Sequence, residues 1–215
     1  WGSPAIRERA PISWFYPGVH DDLVQAHRVA EVPTVLYPTI HVSDDKQPKV
    51  FMSIVSQVAG RMKLRMEACL SERELVSMAA MRMSSHSWTH VGPVFGRREN
   101  YWESLAGMTA FLSTAREEAY SLEYLEALLA GVIGVLPRRE WVKGVVPDAY
   151  PYLYGSEEEA ADMLEEVLRD PQGAQARIDE ASGGSIHDWI LTHHARAAGN
   201  KAIYEKARDW FPEVF

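Results

Sequence analysis

The stretch Thr109-Ala110-Phe111-Leu112-Ser113, followed after a short loop by Ser121-Leu122-Glu123-Tyr124-Leu125-Glu126-Ala127-Leu128-Leu129-Ala130-Gly131-Val132-Ile133-Gly134-Val135-Leu136, decides the fold. Its first five residues form an apolar run of strand length. Positions 121–130 are rich in strong helix formers, Gly131 stops the helix, and 132–136 are apolar and β-branched again. Strand, loop, helix, glycine and strand make a βαβ unit, which requires parallel pairing. The expected class is therefore α/β, a Rossmann-like parallel sheet with helices on both faces.

Working outward toward the N-terminus, Asn100 with Glu103 makes a capping-box start for a short helix through Gly107, and 89–94 reads as a strand closed by Gly92, Pro93 and Gly96. The segment 61–83 carries a helical pattern, continuous or broken near Ser71, with Cys69 in register with Met62 and Met66, and 49–55 has the look of a buried strand. Before it, 43–48 is a polar linker, 33–42 is extended, Asp21-Asp22 caps a helix to about Val29, and 13–16 is an apolar burst closed by Pro17-Gly18. Toward the C-terminus, 152–154 adds a short strand. Ser156 with Glu159 caps a helix whose apolar face is Ala160, Met163, Leu164, Val167 and Leu168. The tail, 185–211, is mostly helical, with a break expected at Gly199-Asn200 and with Trp189, Ile190, Ile203, Tyr204 and Trp210 as its buried side chains. These bounds divide the chain into 1–44, a remnant of a first domain with its connection; 45–182, the ligand-binding domain; and 183–215, a C-terminal helical tail.

The 215 residues are 47% apolar and carry a formal charge of −8, enough for a sizeable core and against a surface that coats nucleic acid or anionic membrane. The single cysteine, Cys69, can form no intramolecular disulfide, so a reducing, cytoplasmic setting is expected. No apolar run reaches the roughly 18–20 residues of a membrane span. The start at Trp1-Gly2-Ser3-Pro4 has no initiator Met and reads as an internal start.

Glu118 falls in the loop after the first strand of the βαβ unit and Glu126 lies eight residues on, inside the helix. In an open α/β sheet that strand-to-helix junction is where ligands bind. The N–H groups around Tyr120, Ser121 and Leu122 open the helix, and the helix dipole makes them a phosphate site. Two glutamates at this spacing would by themselves suit a solvated face. The string around them, 113–132, resembles the Glu-x7-Glu motif of family-4-type retaining glycosyltransferases with the GT-B fold: glutamate, small, aromatic, small and Leu, then Leu-Glu-Ala, then small and Gly. The run from 100 to 113 is similar to that family's short helix and strand before the motif, 33–42 to its interdomain connection, and 49–55 to the first strand of its second domain.

The resemblance implies that Glu126 accepts both ribose hydroxyls of a nucleoside-diphosphate sugar and that Glu118 faces the donor sugar. It further implies that the N–H groups of Tyr120, Ser121 and Leu122 hold the diphosphate. Loss of a charged hydrogen bond of roughly 1.5–3 kcal/mol at Glu126 then weakens nucleotide binding by about one to two orders of magnitude. The family also places an Arg and a Lys after the first strand, and Gly60-Arg61-Met62-Lys63 is the nearest match, with Arg65 as another option. The alternative for Arg61 and Arg65 is a solvated helical face. No cofactor is implied beyond the donor substrate. No metal is expected, because His86/His90 and His193-His194 lack a third ligand and there is no Asp-x-Asp pair.

The expected activity is transfer of a sugar to an acceptor hydroxyl with retention, the acceptor being a glycan, a small molecule or a modified nucleobase. The nucleobase option comes from 137–154, where Pro147-Asp148-Ala149-Tyr150-Pro151 is similar to transferases that glycosylate modified bases in tRNA or phage DNA. The first-domain residues that would touch an acceptor have no counterpart, so the expected partner is a missing or separate acceptor-binding domain. The competing class is a non-catalytic nucleotide-sugar-binding or assembly module.

Overall fold

The structure, a computed structural model, describes residues 18–212 and 214, His20 excepted; the apolar burst at 13–16 lies outside them. Six strands, β1 (Thr34–Tyr37), β2 (Arg65–Leu70), β3 (Thr89–Pro93), β4 (Ala110–Leu112), β5 (Ile133–Pro137) and β6 (Leu153–Tyr154), form one sheet in the order β3-β2-β1-β4-β5-β6. Every pairing is parallel. The helices are α1 (Pro48–Ala59), α2 (Glu72–Leu75), α3 (Met78–Met83), α4 (Arg98–Leu105), α5 (Leu122–Leu129), α6 (Glu157–Arg169), α7 (Pro171–Ala181), α8 (Ile186–His194) and α9 (Arg196–Trp210). They cover both faces of the sheet: α1 packs on α6, and α5 packs on α8. This is the doubly wound Rossmann-like architecture expected from the βαβ unit.

The order runs outward from β1 in one direction and from β4 in the other, so the topological switch point lies between these two strands. Their register is short, Val35 facing Ala110 and Leu36 facing Phe111. Thr34 and Thr109 extend it: the Thr109 N–H donates to Thr34 O (2.9 Å) and the Thr34 N–H to Thr109 Oγ1 (3.1 Å). Beneath the seam the core closes on Tyr37, Phe51, Phe111, Tyr124 and Leu136, all buried.

Several local expectations change. Residues 49–55 belong to α1, not to a strand. Phe51, Ile54, Val55 and Val58 repeat every three to four residues and are buried, whereas Ser53 and Gln57 are exposed, and Pro48 sits in the first turn where its missing N–H costs nothing. Residues 61–83 are not one helix but β2, α2 and α3. In β2 the burial alternates, with Met66, Ala68 and Leu70 inside, which is the period of a half-covered strand. Cys69 is therefore a strand residue. The strand at 34–37, expected within an interdomain connection, is a central strand of the sheet, and the helix expected at 21–29 is only a 3-10 turn at Asp21–Leu23. The tail breaks at Ala195, whose backbone is extended, rather than at Gly199-Asn200; Ile186 and Ile190 are buried, while Ile203 and Tyr204 are exposed.

The decisive stretch folds as expected. Gly131 ends α5 in the left-handed region at φ 81°, and a Cβ there would stand 3.1 Å from that of His27. Ser156 caps α6 by accepting from the Glu159 N–H at 3.1 Å, and Glu157, Glu158 and Glu159 complement the dipole of its first turn.

Candidate functional site

At the C-terminal edge of the sheet, the loop after β1 and the loop after β4 face each other across the switch point. Two bonds stitch them: Thr114 Oγ1 donates to Lys46 O (2.7 Å), and the Arg116 N–H donates to Asp45 O (2.9 Å). Between the stitched loops the Lys46 ammonium pairs with the Glu118 carboxylate, their side chains 19% and 11% exposed. Glu118 also accepts from the Tyr124 hydroxyl (3.0 Å), whose oxygen accepts from Ser113 Oγ (2.9 Å). Burial pushes the Tyr124 phenol well above its ordinary range, so it remains a donor. Glu118 is thus fixed by a cation from one loop and a phenol from the helix that follows it.

One turn into α5, Glu126 is 2% exposed, a carboxylate among the buried residues of the helix, whereas Glu123 in the first turn is only half-buried. It is paired with the guanidinium of Arg98 on α4 and bonded to Tyr101. Burial raises its carboxyl above the usual glutamate value, and Arg98 pulls in the opposite direction. The Arg98 guanidinium lies 5.0 Å from the Tyr101 ring centroid, a cation–π contact that keeps it at the mouth of the site.

Tyr120, Ser121 and Leu122 open α5. Ser121 is the N-cap residue, is buried, and makes no side-chain capping bond, so the first-turn N–H groups are not taken up by their N-cap side chain. A cavity of about 200 Å³ opens on this turn, lined by Glu118, Tyr120, Ser121 and Trp141 among others. The buried Trp141 indole N–H has no hydrogen-bond partner among the described residues. On the outer side, Tyr120 Oη lies 3.3 Å from His194 Nδ1, which ties the turn to the end of α8.

The structure brings Glu118, Glu126, Tyr120, Ser121 and Leu122 together at one edge, and it does not bring Arg61 and Lys63 to them. Both lie in the turn before β2, at the opposite edge of the sheet, where Arg61 pairs with Asp162 (2.7 Å) and Glu165 (3.1 Å) of α6. Lys63 shares that turn, two residues before β2, and Arg65 begins the strand itself. The cation that does reach Glu118 is Lys46. A first strand read at 49–55 leaves Lys46 outside the site; with β1 at Thr34–Tyr37, Lys46 is the lysine of the loop that follows. Arg98 carries only a slight signal in the sequence, one arginine at the start of a short helix; that helix begins at Arg98 with Arg97 as its N-cap and no side-chain capping bond, so the capping box expected at Asn100 and Glu103 does not form.

Three histidines outside this edge have local partners. His86 stacks on Trp88, His90 pairs with Glu67, and His193 stacks on Trp189. Burial pushes the Cys69 thiol up to about 11, away from thiolate chemistry. Among the described residues no group of three or more His, Cys, Asp or Glu side chains is placed to hold a metal ion, and no helix is long and apolar enough to cross a membrane.

No protein-family model and no curated protein matches the chain. Solved structures do. A sucrose-phosphate synthase from Thermosynechococcus elongatus superposes with a TM-score of 0.70 at 13% identity, over 91% of this chain and 52% of its own. A TarM variant from S. aureus, solved with fondaparinux, α-GlcNAc-glycerol and UDP, gives a TM-score of 0.70 at 11% identity over 94% of this chain and 41% of its own. A glycosyltransferase from Rickettsia africae gives 0.66 at 12% identity, over 84% and 48%. The fold is the Rossmann-like domain of GT-B glycosyltransferases, and the chain spans about half or less of the length of these neighbours.

Proposed function

We propose that this chain is the donor-binding half of a retaining glycosyltransferase, and that it holds a nucleoside-diphosphate sugar across the β1/β4 switch point. The observation that carries the reading is the meeting of Lys46 with Glu118 at the first turn of α5. The cation and the helix N-terminus there suit the diphosphate of such a donor, and the carboxylate suits its sugar hydroxyls. On binding, Lys46 turns to the diphosphate and Glu118 to the sugar hydroxyls, each exchanging its present partner for a ligand group. The first turn of α5, at Tyr120, Ser121 and Leu122, supplies N–H donors to phosphate oxygens, and Glu126 accepts from the ribose once Arg98 swings aside.

In the reaction the bond from the anomeric carbon to the diphosphate oxygen breaks as the acceptor oxygen bonds to that carbon from the same face. The acceptor proton leaves with the departing phosphate. The protein's contribution is electrostatic: Lys46 and the α5 turn stabilise the charge that develops on the diphosphate, preorganised in a partly enclosed site. A second, acceptor-binding domain completes the enzyme. No metal has a part in this reading.

Calorimetric titration with UDP, GDP and ADP tests it. One of the three binds the parent chain, and Glu126→Ala weakens that binding by about 10- to 100-fold, the worth of one to two charged hydrogen bonds. Equal affinity of the parent and the variant removes Glu126 from the site.

A further inference from the structure

Beside the donor edge, between α1 and α3, lies a larger cavity of about 750 Å³. Its floor is apolar, with Val42, Met52 and Met78, and Met78 is 64% exposed although it belongs to a helix. Three cationic side chains, Lys49, Arg82 and Arg116, line it against one carboxylate, Asp44. Among the described residues elsewhere, Arg28, Lys46, Arg61, Arg97, Arg98, Arg138, Lys143, Arg169, Arg177 and Lys201 stand in ion pairs, and the cations that do not are scattered rather than gathered round one cavity. Among the described residues none of Lys49, Arg82 and Arg116 stands in an ion pair. The one side-chain contact of Arg116 is neutral: with the Gln47 amide turned so that its nitrogen donates to Thr114 O (2.9 Å), its oxygen accepts from Arg116 Nε (3.3 Å).

Three unpaired cations around an apolar floor suit a ligand that brings an anion and a hydrocarbon surface at once. The cavity also shares its wall with the donor site. Gln47 follows Lys46, and Arg116 stands two residues before Glu118, on the same stitched loops. We propose that this cavity is the part of the acceptor site that this chain supplies alongside the acceptor-binding domain, and that the acceptor carries a phosphate group on an apolar stem. The phosphate is held by Lys49, Arg82 and Arg116 and the stem lies on Val42, Met52 and Met78. The acceptor hydroxyl then reaches the sugar held at Glu118. The acceptor role rests on the donor-site reading above; the binding of a phosphorylated apolar compound does not.

Phenyl phosphate is the probe, with benzyl alcohol (the ring without the charge) and inorganic phosphate (the charge without the ring) as comparisons, each titrated calorimetrically into the full chain with and without saturating UDP. Phenyl phosphate is expected to bind saturably and at least about tenfold more tightly than either comparison. Arg82→Gln and Lys49→Gln, both at exposed positions, each weaken it by about fivefold or more, the effect of losing one charge-assisted contact, while Lys206→Gln on α9 does not. UDP leaves the affinity unchanged. Absence of saturable binding, or equal binding by the Arg82→Gln and Lys49→Gln variants with their melting temperatures unaltered, overturns the proposal. Displacement by UDP also overturns it, since the cavity would then be the seat of the donor's own diphosphate. If phenyl phosphate binds and no nucleotide does, the donor-site reading and the acceptor role fall together, leaving an anion-binding cavity.

Discussion

The Lys46–Glu118 pair makes a sharp test, because stability and binding respond to it in opposite ways. Both side chains are mostly enclosed, 19% and 11% exposed, and Glu118 keeps a second bond from Tyr124. Lys46→Met leaves an enclosed carboxylate without its cation. Removing one partner of a fully buried pair costs about 3–5 kcal/mol, and with the remaining Tyr124 bond and partial exposure about 2–4 kcal/mol is expected here. Glu118→Gln is milder, about 1–2 kcal/mol, because the flexible lysine stem can carry its ammonium out to water. The double variant leaves no uncompensated charge, so it returns to within about 1 kcal/mol of the parent, a coupling of at least about 2 kcal/mol. Binding does not return with stability. Lys46→Met and the double variant lose affinity for the nucleoside diphosphate by about 10-fold or more, whereas Glu118→Gln alone weakens the nucleotide sugar while leaving the free nucleotide nearly unaffected. Urea denaturation of the four proteins gives the first quantity, and calorimetry with nucleotide and nucleotide sugar the second. Stability losses that add to within about 0.5 kcal/mol would refute the pairing as an energetic unit; a double variant that binds nucleotide as the parent does would refute Lys46 as the diphosphate cation.

Three further outcomes follow from the packing and the titrating groups. Burial holds the Glu126 carboxyl above the usual 4.5, so acidification through the window just above that value protonates it and lowers nucleotide affinity. The folding free energy moves the other way in that window: the native state there binds the proton more tightly than the unfolded chain, so the contribution of Glu126 to stability grows as pH falls, and Glu126→Gln flattens both trends. His194 is pushed down to about 4 by burial, so between the ordinary histidine value and 4 only the unfolded chain is protonated. Thermal melts therefore fall steadily from pH 7 to pH 4.5 and fall less in His194→Gln. At Gly134 a Cβ would stand 2.6 Å from the Phe111 ring, and Phe111 stacks on Tyr124 at 5.5 Å. Gly134→Ala thus costs about 1–3 kcal/mol in overpacking, read by urea denaturation, and loosens the phenol that holds Glu118.

The second half of the sheet was legible in the sequence and much of the first half was not. From Thr109 to Leu136 each cue agrees with the next: apolar strands of the right length, a helix of strong formers, and a glycine where the chain must turn left-handed. Between 33 and 83 the cues conflict. Val50-Phe51 and Ile54-Val55 form two apolar pairs that fit a buried strand or one helix face equally well, and length alone would have favoured the helix. In β2 the small and sulfur-bearing side chains Met66, Ala68 and Cys69 satisfy helical spacing as readily as alternation. A first strand read after Pro48 instead of before it carries the expected diphosphate cation with it, to Arg61 and Lys63. Glu126 was found because its string is distinctive. Lys46 was not, because only the tertiary pairing of two loops 72 positions apart makes it a neighbour of Glu118.

The seam at β1 and β4 has a consequence for how the molecule breathes. Each side is a run of three strands contiguous in the chain, β1-β2-β3 and β4-β5-β6, and two registered residue pairs and the Thr34–Thr109 exchange join their facing strands, β1 and β4. The contacts within each side are local in sequence, whereas those across the seam close a long loop, so the two sides form readily as units and their junction is the slow and least protected step. A ligand lying across the C-terminal edge of that junction acts as a clasp. Amide hydrogens of Val35, Leu36, Ala110 and Phe111 are then the ones whose exchange slows on binding, in proportion to ligand concentration over its dissociation constant, while those at the outer strands β3 and β6 keep their own rates.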